Sequence, residues 1–161
     1  MQTNNCALQR MRYIAASIVA ILLFNSPTPA RADRLPTTVR PDHYALTLTP
    51  DLKAATYSGS ETIDVVLTEP TTSITLNAAE IDFKTVKIAA QGKEQTAAVA
   101  LDEGKQQATF TVPKAIPAGK ATLSIEFTGT LNNELRGFYL SKTPRRNYAV
   151  TQFEALDARR G

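Results

Sequence analysis

Tryptophan is absent from the 161 residues, and cysteine and histidine occur once each, as Cys6 and His43. Each scarcity removes a class of chemistry. A lone histidine with no His, Cys or acid at ligand spacing does not make a metal site. A Ser-His-Asp triad would have to use that same His43, and no serine lies in a G-x-S-x-G turn. Neither H-E-x-x-H nor a Gly-rich phosphate loop occurs. With no Trp and only five Tyr, the aromatic platform of a sugar-binding sandwich is thin. Long apolar runs are lacking too. The longest, Tyr13–Phe24, has twelve residues, where a membrane-spanning helix needs about 20.

The flanks of that run give it another meaning. Residues 1–12 are polar, with Arg10 and Arg12 and no acid, and "NSPTPARA" follows with small residues at Ala30 and Ala32. A basic start, a short apolar stretch and an A-x-A site describe a secretory signal peptide over 1–32, cut after Ala32. An uncleaved membrane anchor is the alternative, disfavoured by the shortness of the run. The expected product is exported, to a periplasm or the extracellular space, with no stable membrane span. Cys6 would leave with the signal, so a domain over 33–161 would be held by its core and not by disulfides. Residues 1–32 hold three arginines and no acid, so 33–161 keeps 15 basic and 15 acidic residues, a net charge of zero. The basic balance of the whole chain therefore says nothing for nucleic acid, and no basic-aromatic interleaving suggests it either.

From residue 43 onward the apolar pattern has period two. "HYALTLTP" (43–50) sets Tyr44, Leu46 and Leu48 against Ala45, Thr47 and Thr49. "TYSGSETIDVVLTEP" (56–70) places Ile63, Val65 and Leu67 on one face. Further runs cover 72–81, 82–90, 96–101, 107–113 and 121–131, with "GFYLS" and "NYAVTQFE" closing the series. The alternation slips between Phe83 and Val86, the mark of a bulge. Asp102-Glu103-Gly104-Lys105 between two alternating runs signals a hairpin. Short strands with turn residues between them indicate an all-β chain, an antiparallel β-sandwich or saddle-shaped sheet, incomplete at its C-terminus.

The last run carries two polar groups, Gln152 and Glu154. Residues two apart in a strand share a face, so this pair projects together, with Phe153 turned the other way and inward. A carboxylate beside an amide carbonyl suits a primary ammonium. On spacing alone, two solvated polar residues at a strand end remain the plainer reading.

"RLPTTVRPDHYALTLTPDL", "SGSETIDVVL", "SITLNAAEI", "LRGFYLS" and above all "YAVTQFEALDARRG" resemble, in order, the N-terminal domain of the aminopeptidase N family of zinc metallopeptidases. The resemblance implies that Glu154 binds the free N-terminal amine of a peptide substrate and that Gln152 helps line the pocket for its first residue. It also implies a zinc-bearing catalytic domain as the partner of this one. Family members continue past D-A-R-R into G-x-M-E-N and H-E-x-x-H segments. None of these occurs here, so the chain reads as a truncated piece that supplies no catalytic residue and no zinc ligand and is inactive alone. Asp157, Arg159 and Arg160 read as structural charges, and "RGFYLS" as packing, with Arg136 and Tyr139 the weaker candidates for interdomain contacts. The competing reading is a stand-alone secreted β-sandwich that binds a protein or a sugar.

Overall fold

A computed structural model describes residues 35–153, all within the second of two units, Arg34–Gly161. The expected signal segment, Glu154, Asp157, Arg159 and Arg160 lie outside the described residues. Among the described residues ten strands form: β1 (Val39–Asp51), β2 (Thr56–Leu67), β3 (Thr71–Asn77), β4 (Ile81–Ala90), β5 (Lys93–Thr96), β6 (Ala98–Asp102), β7 (Gln107–Ile116), β8 (Gly119–Thr130), β9 (Gly137–Lys142) and β10 (Asn147–Gln152). Every paired strand runs antiparallel to its neighbour. They make a five-stranded sheet in the order β1-β2-β8-β4-β5, a three-stranded sheet β3-β7-β6, and the β9-β10 hairpin. The expected all-β sandwich is present.

The alternation read from the sequence becomes the core. Ile63, Val65 and Leu67 of β2 are buried with Ala121, Leu123 and Ile125 of β8 and Val86 and Ile88 of β4. Opposite them stand Ile74, Ala108, Phe110, Val112 and Ile116 of the three-stranded sheet. Phe83 and Phe110 meet edge to face with centroids 5.2 Å apart, a geometry the aromatic quadrupole favours. The slip in the pattern is a real bulge. The β4–β8 register shifts between Phe83 and Thr85, so Phe83 pairs with Phe127 and Val86 with Ile125. One extra residue thus keeps both apolar side chains on the inner face. The hairpin at 102–105 also forms, with Asp102 opposite Gln107.

One strand was not expected. β5 pairs with β4 through the two-residue turn Gln91-Gly92, both at positive φ, 50° and 74°. Two left-handed residues make the type I′ turn whose twist matches that of the flanking strands. Gln95 on β5 then joins the two sheets. Its Nε2 donates to the Lys114 carbonyl and its Oε1 accepts from the Lys114 N–H, each at 3.0 Å.

β1 departs from the sandwich pattern. Its apolar residues do face inward, since Tyr44 lies opposite Ile63, Leu46 opposite Glu61 and Leu48 opposite Gly59. Yet Tyr44 is 50% exposed and Leu46 54%. Among the described residues, the three-stranded sheet covers the β8-β4 side of the inner face and leaves the β1 margin open.

Candidate functional site

The closing hairpin is built from local chemistry. Between β9 and β10, Thr143 Oγ1 donates to the Arg146 carbonyl at 2.7 Å and accepts from the Arg146 N–H at 3.1 Å. This closes the turn without a glycine. Register then runs from Asn147 opposite Lys142 to Gln152 opposite Gly137. Before β9, Asn132 Oδ1 accepts from the Glu134 N–H at 2.9 Å, and its Nδ2 donates to the Arg136 carbonyl at 3.0 Å. Leu131 N–H reaches the Ala55 carbonyl, and Asn147 Nδ2 reaches the Leu52 carbonyl. The hairpin is therefore fixed to the β1–β2 turn at both its entry and its return.

Gln152 occupies the last position of β10 and is exposed. Its partner Gly137, at φ +66°, carries no side chain to cover it. By alternation Gln152 shares a face with Val150, whose opposite residue is the buried Tyr139. Glu154 lies just beyond the described residues, so the pairing of the two side chains rests on their spacing alone. Phe153 does not turn into the core as expected. It is 60% exposed and sits at the rim of an open apolar cavity of about 360 Å³ with Leu46, Leu48, Tyr57, Phe127 and Phe138. The chain has left the ladder at Phe153, and among the described residues no strand lies over that side to bury it.

The remaining candidates separate cleanly. Tyr139 and Leu140 are buried, so "RGFYLS" is packing as read from the sequence. Arg136 is exposed and lies 3.6 Å from Glu80 and 3.5 Å from Glu134. Exposed pairs of this kind contribute little. His43 is an exposed residue of β1. Among the described residues no three His, Cys, Asp or Glu side chains gather where a cation could bind. The described residues therefore offer no donor set that fits zinc. No helix among the described residues is long and apolar enough to cross a membrane.

One polar residue passed unnoticed in the sequence. Glu61 lies on the inner face of β2, opposite Leu46 on one side and Ile125 on the other. It is half-buried, and desolvation raises its carboxyl above the usual range. The neighbouring Tyr44 hydroxyl is raised as well, first by burial and then by the Glu61 charge. The signal was present in the run "ETIDVVL": Glu61 has the same parity as Ile63, Val65 and Leu67.

Comparison with known proteins places this architecture in a family. The Peptidase M1 N-terminal domain model matches residues 40–161. The chain belongs to that family. Among its relatives, Aminopeptidase M1-B of Oryza sativa subsp. japonica is 40% identical over 113 residues, covering 68% of this chain and 13% of the relative. Aminopeptidase 2 of Candida albicans is 40% identical over 110 residues, 65% of this chain and 12% of its own length. Aminopeptidase 2, mitochondrial, of Saccharomyces cerevisiae is 38% identical over 118 residues, with 67% and 12% covered. The chain thus spans about an eighth of the length of these relatives.

Proposed function

We propose that this chain is the N-terminal, substrate-anchoring β-domain of an exported zinc aminopeptidase. The observation that carries the reading is Gln152 at the exposed end of β10, with Glu154 two residues on in the sequence and D-A-R-R after it, in a chain of the M1 N-terminal family. An exopeptidase must measure from the first amine of its substrate. In this reading the Glu154 carboxylate supplies the charge for that ammonium, and the amide of Gln152, at the end of β10, supplies a second acceptor. Zinc and the residues that bind it belong to a catalytic domain outside this chain. The contribution here is to bind and orient, with Glu154 as the ammonium ligand and Gln152 lining the pocket for the first residue.

The test is Glu154→Ala in a polypeptide that carries this domain together with its catalytic domain. Removing one partner of a desolvated charge pair costs roughly 2–5 kcal/mol. At about 1.4 kcal/mol per tenfold, kcat/KM on free-amine peptides falls by roughly 30-fold to 3,000-fold. Zinc content and melting temperature stay at their wild-type values. Gln152→Ala costs less, on the order of 1 kcal/mol, as the loss of a neutral hydrogen bond does. Discrimination is the sharper readout: Glu154→Ala narrows the gap between free and N-acetylated peptides, because the acetylated substrate has no ammonium to lose. Wild-type kcat/KM in the mutant on free-amine peptides rejects the assignment.

A further inference from the structure

Three contacts that join the closing hairpin and its entry to the sandwich fall on one segment, residues 52–57. Asn147 Nδ2 donates to the Leu52 carbonyl at 3.4 Å, and the Leu131 N–H donates to the Ala55 carbonyl at 2.8 Å. The Phe138 ring meets the Tyr57 ring edge to face, with centroids 5.1 Å apart. The segment is held for local reasons. Asp51 Oδ1 accepts from the Lys53 and Ala54 N–H groups. Ala55 follows at φ 55°, a conformation that a Cβ disfavours, and its carbonyl is the one that meets Leu131. From Thr56 onward the chain is laddered on both sides, to β1 and to β8.

The ring contact bears most directly on Gln152. Phe138 lies opposite Thr151, and the next and last rung of the hairpin is Gln152 with Gly137. Gly137 has no side chain to pack, so the last rung takes its position from the one before it. Tyr57 is itself hemmed in. Its ring lies over Gly129, where a Cβ would stand 2.6 Å from Cε1, and it meets the Phe127 ring edge to face at 6.3 Å. Phe127 belongs to the core. A row of rings thus runs from the core through Tyr57 to Phe138, and across that rung to the strand that ends at Gln152. Such support matters for a binding group, because about 1 Å of misplacement can cost roughly 100-fold in rate. We propose that Tyr57 is a positioning residue for the substrate-anchoring end of β10, its ring fixing the Phe138–Thr151 rung and so the place from which Gln152 meets the first residue of a peptide. The inference rests on the anchoring role proposed above.

The experiment has two arms. In the full 161-residue chain, Tyr57→Leu should speed amide exchange across β9 and β10 by roughly tenfold or more. The Ile63–Leu123 rung, far along the β2–β8 ladder, should keep its wild-type protection. The Tyr57 hydroxyl makes no hydrogen bond among the described residues, so Tyr57→Phe, which keeps the ring, should exchange as wild type. The second arm uses a polypeptide that also carries the catalytic domain. There Tyr57→Leu should lower kcat/KM on free-amine peptides by roughly tenfold or more, with zinc content and hydrolysis of N-acetylated peptides nearly unchanged, and Tyr57→Phe should restore the wild-type value. With Gln152→Ala and Glu154→Ala already present, Tyr57→Leu should cost little more, because the groups it positions are gone. A variant that merely weakened the fold would lose activity in both backgrounds and on both kinds of peptide. Unchanged exchange across the hairpin, unchanged kcat/KM in Tyr57→Leu, or a loss that persists in full beside Gln152→Ala and Glu154→Ala overturns this proposal and leaves the anchoring role standing. Wild-type kcat/KM in Glu154→Ala alone overturns both.

Discussion

At Gly59 the strand gives up a side chain so that an aromatic ring can lie over it. A Cβ there would stand 2.6 Å from Phe127 Cε2 and 3.0 Å from Leu48 Cδ2. The arrangement repeats at Gly129, where a Cβ would meet the Tyr57 ring, with Cε1 at 2.6 Å. Both are cross-strand pairs, Gly59 with Phe127 and Tyr57 with Gly129. Gly59→Ala should therefore destabilise the fold by about 1–3 kcal/mol through overpacking, read as a lower urea midpoint at unchanged slope. An unchanged midpoint would mean that the ring moves aside freely. Glu61, two residues on, gives a pH test. Its folded carboxyl is raised by desolvation, so the folded state binds this proton more tightly than the unfolded chain does. The stability it contributes is complete below the unfolded pKa and is lost as pH rises through the folded one. Glu61→Gln should thus melt higher than wild type at pH 7, and the difference should vanish in acid below the normal glutamate range. A constant difference across pH would assign the effect to packing and not to ionisation.

Among elements, β5 shows how a short polar strand holds a place. "KEQT" has no apolar alternation to bury and is an edge of the large sheet. Its position comes from the Gln91-Gly92 turn, from a Lys87–Glu94 ion pair at 2.9 Å, and from the double hydrogen bond of Gln95 to Lys114. The exposed ion pair contributes little, whereas Gln95 ties β5 to β7 of the other sheet. Gln95→Ala should cost about 1–3 kcal/mol for two hydrogen bonds. It should also speed amide exchange at Lys114 relative to residues in the middle of β7. Unchanged exchange at Lys114 would show that the sheets are held together by the apolar core alone. The β1–β2 connection uses the same economy. Asp51 Oδ1 accepts from the Lys53 and Ala54 N–H groups, both at 2.9 Å. These bonds hold its carboxyl below the usual range, with Ala54 the larger cause.

For the whole molecule, one core between two sheets carries the stability, since the mature chain expected from the sequence has no cysteine to cross-link it. An A-x-A site stands at Ala30 and Ala32. If export proceeds through that site, the intact mass of exported material should correspond to a chain starting at Asp33. A secreted product retaining Met1 would reject the signal-peptide assignment and favour the anchor reading. Processing would also remove all excess positive charge, so the exported form should focus near neutrality and not at the basic pI of the full chain.

The sequence by itself determined what depends on neighbours along the chain. Period-two alternation located nearly every strand, placed Ile63, Val65 and Leu67 on the buried face, and marked the bulge between Phe83 and Val86. It also located the 102–105 hairpin and put Gln152 at the end of a strand, because side-chain parity and turn chemistry are local properties. The tertiary structure decided what depends on which faces meet. The order β1-β2-β8-β4-β5 joins strands more than 50 residues apart, and no local pattern specifies it. β5 carries no apolar period and is placed by its turn and by Gln95. Tyr44, Leu46 and Leu48 have the alternation of a core strand yet stand exposed, since burial needs a second layer and, among the described residues, the core against the three-stranded sheet takes in β2, β8 and β4 but not these β1 side chains. The same uncovered margin turns Phe153 to the surface and makes Glu61, by parity a core position, a charged group inside an apolar face.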